Sequence, residues 1–152
     1  GKIEKVNRLL GRYYTINGMV KKGSGRGKKL SFPTANLDIS GNAILPQGVY
    51  AVLIGLGGKK HWGVANIGRR PTFSLAHPLP PQVGRYARPV VEVHIFDFRE
   101  SLYRQKLEVS LMKRIRREIK FPTPEKLMNR IEKDIRFTKK LRSTFGCLTK
   151  SK

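Results

Sequence analysis

Val90-Val91-Glu92-Val93-His94-Ile95-Phe96-Asp97-Phe98 alternates apolar and polar residues at the period of an extended chain, because successive side chains on a strand point to opposite faces. Val91, Val93 and Ile95 therefore face one way, and Glu92 and His94 the other. Four more short apolar or alternating runs, separated by Gly, Pro and Asn, fall between Tyr13 and about Val109: Tyr13–Val20, Gly48–Leu56, His61–Ile67 and Lys106–Leu111. Strands spaced in this way, with no helices between them, predict an antiparallel sheet. A small closed barrel is the expected form, since closure leaves no free strand edge.

Helical signals lie only at the two ends. Ile3, Val6, Leu9 and Leu10 have helical spacing, so residues 1–12 read as a lead-in helix or linker. Phe121-Pro122-Thr123-Pro124-Glu125-Lys126 has the grammar of a helix start, with Thr123 as N-cap, Pro124 at the first helical position and Glu125 at the positive end of the dipole. That helix is expected to run to about Leu141 and to present Leu127, Met128, Ile131, Ile135 and Leu141 to the barrel. Residues 13–142 then form the domain and 143–152 a basic tail. The connection Ser74–Pro89 carries four prolines and is too long for a hairpin turn, the length of a functional flap or a disordered segment.

Composition narrows the classes. At 152 residues and 39% hydrophobic content the chain suits one compact domain. It has no apolar run of the roughly eighteen residues that a spanning helix needs. One cysteine, Cys147, excludes an internal disulfide framework and a cysteine-rich zinc site, and a reducing cytoplasmic setting is expected. The start, Gly1-Lys2-Ile3-Glu4-Lys5, lacks a signal-peptide core, and a leading Gly in place of Met is expected of a domain cut from a longer protein. The charge is unusual: 32 Lys and Arg against 10 Asp and Glu give +22. Such a surface attracts polyanions in general, but a solvated basic face explains it as simply.

Two segments carry candidate chemistry. Lys22-Gly23-Ser24-Gly25-Arg26-Gly27-Lys28-Lys29 would let backbone N–H groups approach a polyphosphate while its cations balance charge. It lacks the Gly-Lys-[Ser/Thr] helix start of a Walker loop; taken alone, it reads more simply as a flexible basic hairpin loop. In Leu30-Ser31-Phe32-Pro33-Thr34-Ala35-Asn36-Leu37, Thr34 and Asn36 project to the same side of an extended chain. Both offer oxygen ligands suited to a hard cation arriving with phosphate. His61, His77 and His94 are too far apart in sequence to be called a metal triad. Trp62, Tyr103 and Phe121 could stack on a ring ligand, although barrel core or rim is the plainer reading.

Gly-x-Gly-Arg-Gly-Lys followed by Phe-Pro-Thr-Ala-Asn resembles the signature of the riboflavin kinase family, both free-standing enzymes and the C-terminal domains of bacterial bifunctional FAD synthetases. Leu45–Ala51, Gly63–Phe73, Glu92–Phe98, Leu102-Tyr103 and Ile115–Glu118 with Lys120-Phe121 follow in the family's order. The resemblance implies a mainly β fold, a six-stranded antiparallel Greek-key barrel with a C-terminal α-helix, and an ATP-dependent phosphorylation of riboflavin to FMN that uses Mg2+. It places Gly23, Ser24, Gly25, Arg26, Gly27 and Lys28 on ATP, Thr34 and Asn36 on Mg-ATP, and Glu92 as catalytic base. Arg116 and Glu118 fall in the flap beside riboflavin. Ser31 and Arg104 stand where the family usually has glycine. Two other readings remain open. One is a flavin-binding module whose basic surface contacts RNA or DNA, for which the sequence holds no aromatic-rich recognition motif. In the other, the chain is the kinase half of a bifunctional enzyme, partnered with an N-terminal adenylyltransferase domain.

Overall fold

The computed structural model describes residues 1–22, 32–39, 43–68, 89–98 and 100–148. Helix α1 (Ile3–Leu10) leads into strands β1 (Tyr14–Lys21), β2 (Ala35–Ile39), β3 (Gly48–Leu56), β4 (Lys59–Gly68), β5 (Val90–Ile95) and β6 (Lys106–Arg116), and helix α2 (Pro124–Leu148) closes the order. The strands form a closed barrel in the order β1-β2-β5-β4-β3-β6, with every neighbouring pair antiparallel. The non-sequential neighbours β2–β5 and β3–β6 make it the expected Greek key rather than an up-and-down meander.

Alternation fills the barrel. Ile16, Leu37, Val52, Ile54, Val91, Val93, Val109 and Leu111 belong to one buried cluster, each separated from the next inward residue of its strand by an outward one. Tyr50 joins them, fully buried, and donates its hydroxyl to the Gln47 carbonyl at 3.3 Å. Burial pushes its phenol above the ordinary value, opposed by the nearby Arg114 cation. Gly63 has a steric reason: a Cβ there would strike the His94 carbonyl oxygen and the Ile54 side chain, so glycine lets β4 and β5 close up.

All five candidate runs are strands, and β3 has the expected bounds. β2 was not among the candidate strands, and it completes the ring between β1 and β5. β5 ends at Ile95, short of Phe98, because Asp97 takes a left-handed backbone (φ 56) that cannot continue a strand. β6 runs on to Arg116, beyond the expected Leu111.

Both helices serve the barrel. Ile3 is buried in the core cluster, and the Asn7 side chain donates to the Leu111 carbonyl at 2.9 Å while accepting from the Tyr14 N–H at 2.8 Å. The start of α2 is as read: the Lys126 N–H donates to Thr123 Oγ1 at 3.3 Å. Its end is not, since the helix continues to Leu148 with Phe145 against Trp62 at 5.9 Å. The stripe Leu127, Met128, Ile131, Ile135 and Leu141 is half-buried, but the most deeply buried side chains of α2 are the polar Asp134 and Thr138. Trp62 and Phe121 are half-buried outside the core cluster, and Tyr103 is exposed.

Candidate active site

The ladder registers place six residues in one row around the barrel wall. Lys21 opposes Asn36, Asn36 opposes Glu92, Glu92 opposes Asn66, Asn66 opposes Val49, and Val49 opposes Arg116. Because Val91, Val93, Ala65 and Ile67 point into the core, Glu92 and Asn66 face outward, as alternation predicted for Glu92. Directly opposed side chains in antiparallel strands have Cβ atoms about 4.5–5.5 Å apart. A carboxylate thus stands between two carboxamides on adjacent strands. Glu92 and Asn66 are half-buried, and Asn36 is 5% exposed.

Thr34 lies exposed, directly before β2. Its segment is tied to β5 by the His94 ring, whose Nδ1 lies 2.8 Å from the Pro33 carbonyl oxygen. Thr34 and Asn36 fit a magnesium ion in kind, offering neutral hard oxygens. Among the described residues no group of three His, Cys, Asp or Glu forms a competing metal cluster. A cation held there would take its charge balance from phosphate.

At the end of the row the Arg116 Nε donates to Asp134 Oδ2 at 2.8 Å, with side chains 13% and 3% exposed. The Arg116 guanidinium also lies over the Phe121 ring at 5.6 Å and donates to the Arg117 carbonyl. Arg130 Nε approaches the second oxygen, Asp134 Oδ1, at 3.3 Å without hydrogen-bond geometry. Arg116 is thus fastened to α2. The Glu118 carboxylate lies against Gly68 at the end of β4, where any side chain at position 68 would collide with it.

The described residues therefore bring together Thr34, Asn36 and Glu92, with Arg116 two strands beyond Glu92's other neighbour. Gly23, Ser24, Gly25, Arg26, Gly27 and Lys28 lie outside the described residues, as do Ser31, His77 and most of the Ser74–Pro89 connection. Sequence reasoning assigned no role to Asn66 or Lys21. Asn66 carried a signal, a polar residue alternating with core-facing Ala65 and Ile67, but its neighbour could be known only from the β4–β5 pairing.

The family model described as Flavokinase, riboflavin kinase, matches residues 10–142. The chain belongs to the riboflavin kinase family. A bifunctional riboflavin kinase/FMN adenylyltransferase of Buchnera aphidicola subsp. Schizaphis graminum is 42% identical over 91% of the chain and 42% of that relative. An RNA-binding riboflavin kinase of Bacillus subtilis is 37% identical over 90% of the chain and 55% of its own length. The chain thus spans about two fifths of the bifunctional relative. Among solved structures, one titled a macrolide-efflux protein from Streptococcus pneumoniae superposes with a TM-score of 0.78 at 29% identity, over 91% of this chain and 42% of that one. A riboflavin kinase from Trypanosoma brucei shares the fold, with a TM-score of 0.56 at 18% identity over 84% of this chain and 78% of its own.

Proposed function

We propose that this chain transfers the γ-phosphoryl group of ATP to the terminal ribityl hydroxyl of riboflavin, giving FMN and ADP. The observation that carries the reading is Glu92, set between Asn36 and Asn66 beside the Thr34 segment in a chain of this family. Glu92 accepts the hydroxyl proton as the ribityl oxygen bonds to the γ-phosphorus and the bond to the bridging oxygen breaks. Such a reaction asks for positioning and charge neutralisation more than covalent help. Thr34 and Asn36 hold the metal side of the nucleotide, where magnesium when bound neutralises phosphate charge. The phosphates are assigned to Gly23, Ser24, Gly25, Arg26, Gly27 and Lys28, whose composition offers backbone N–H donors and cations. Arg116 and Glu118 border the flavin, with Arg116 kept in place by Asp134.

The test is conversion of riboflavin by the purified chain with ATP and Mg2+, with flavins separated chromatographically. Glu92→Gln should lower kcat by roughly a hundredfold or more, the scale of a lost general base, and Thr34→Ala should chiefly raise the KM for Mg-ATP. Full activity in Glu92→Gln would remove the carboxylate from the mechanism.

A second reading, compatible with the first, is that the basic surface contacts RNA. Its support is the net charge of +22, the exposed Lys126, Lys133 and Lys140 spaced along α2, and the relative named as an RNA-binding riboflavin kinase. RNA affinity that falls steeply with salt and weakens when these lysines become glutamines would support it, and salt-independent or absent binding would end it. In a longer protein with an adenylyltransferase domain, this chain would supply the FMN that the other half consumes. The single cysteine suits a cytoplasmic setting, and no helix among the described residues is long and apolar enough to cross a membrane.

A further inference from the structure

The β2–β5 ladder begins at the Ala35–Val93 pair, so Thr34 stands just outside it. On its far side the chain is held by a different device. His94 Nδ1 reaches the Pro33 carbonyl oxygen at 2.8 Å, a link between residues 61 positions apart in sequence. A carbonyl only accepts, so Nδ1 carries the proton, and the bond fixes the peptide plane that joins Pro33 to Thr34. The ring is itself held: Phe32 meets it edge-on at 6.0 Å, and Phe96, 5% exposed, packs at 5.8 Å. Lys139 from α2 lies over Phe96 at 5.8 Å.

His94 also shares a strand face with Glu92, two residues away. One short piece of β5 therefore holds the carboxylate directly and the Thr34 segment through His94. We propose that His94 is a positioning residue for the metal–nucleotide side of the site: it sets the direction of the Thr34 side chain relative to Glu92 without touching either substrate. This rests on the kinase reading given above. The scale of the effect follows from one hydrogen bond. A net contribution of about 0.5–1.5 kcal/mol corresponds to roughly two- to tenfold in affinity.

Two replacements separate the bond from the packing. His94→Phe keeps an aromatic ring and loses the N–H donor; His94→Asn keeps a donor near the Nδ1 position and loses the ring. Mg-ATP affinity is measured by calorimetry without riboflavin, alongside KM values for both substrates, kcat and Tm. The expected result is a weakening of Mg-ATP binding of about two- to tenfold in His94→Phe, matched in the KM for Mg-ATP. The riboflavin KM should stay within about twofold, and His94→Asn should recover most of the loss. Unchanged Mg-ATP affinity in His94→Phe overturns the proposal. So does an equal loss of both substrates that tracks a fall in Tm, because that pattern marks a merely structural ring. Wild-type chain that binds Mg-ATP yet makes no FMN overturns the kinase reading alone, and wild-type chain with no affinity for Mg-ATP overturns both.

Discussion

Single residues show where the period-two pattern was sufficient and where it was not. Alternation along β5 placed Glu92 on the outer face, but which residues flank it depends on strand register, with Asn36 on the sequence-remote β2 and Asn66 on β4 across the 69–89 connection, so Asn66 became visible only through the pairing. Arg104, which the resemblance led us to expect in place of a glycine, has a left-handed backbone at φ 63. That conformation costs a residue with a Cβ about 1 kcal/mol. Arg104→Gly should relieve it, minus about 0.5 kcal/mol for the exposed contact of the guanidinium with Tyr103 at 5.4 Å. Chemical denaturation should therefore show a gain of roughly 0.5 kcal/mol, and a net loss would mean that the ring contact outweighs the strain. Tyr50 gives a pH dependence. Its phenol is raised in the folded chain by burial, so the stability it brings is present below the ordinary phenol value near 10 and is lost as pH climbs above it. Tyr50→Phe should cost about 1 kcal/mol at neutral pH through the lost hydrogen bond to Gln47, and this deficit should shrink in melts above about pH 10.

Elements were legible where their pattern was strong. Long apolar strands such as β3 announced themselves, whereas β2 offers only five residues, two of them polar. It reads as a strand only because β1 and β5 lie on either side. The start of α2 was written in local capping chemistry, and its end was not. Helical backbone continues past Leu141, where Phe145 finds Trp62 on β4, a contact that no local signal encodes. The apolar stripe also failed to mark the deepest anchor of α2. Asp134 binds Arg116 and Arg130, and Thr138 donates back to the Asp134 carbonyl at 2.9 Å. Removing one partner from a buried ion pair leaves an uncompensated charge and costs about 3–5 kcal/mol. Asp134→Ala should therefore lower stability by about 3 kcal/mol in urea denaturation and loosen Arg116, raising the riboflavin KM more than that for Mg-ATP. An equal rise in both would detach Arg116 from the flavin side.

For the whole molecule, the dominant physical fact beyond the barrel is its charge. A net of +22 on 152 residues repels itself, and salt screens that repulsion. Tm in chloride should rise as ionic strength goes from about 0.01 M to about 0.15 M, where the Debye length shortens from about 30 to about 8 Å. A Tm that falls over that range would show that local ion pairs such as Arg136–Glu132 outweigh the collective term. Composition gave the amount of charge but not its arrangement, since surface position follows from the three-dimensional path. Ring closure has its own outcome for the chemistry. Asn36, Glu92 and Asn66 belong to three adjoining staves of one hoop, and no stave can slip without unseating those beside it. Amide exchange at these positions should therefore be slow and synchronous, and heat should abolish catalysis and fold in the same step.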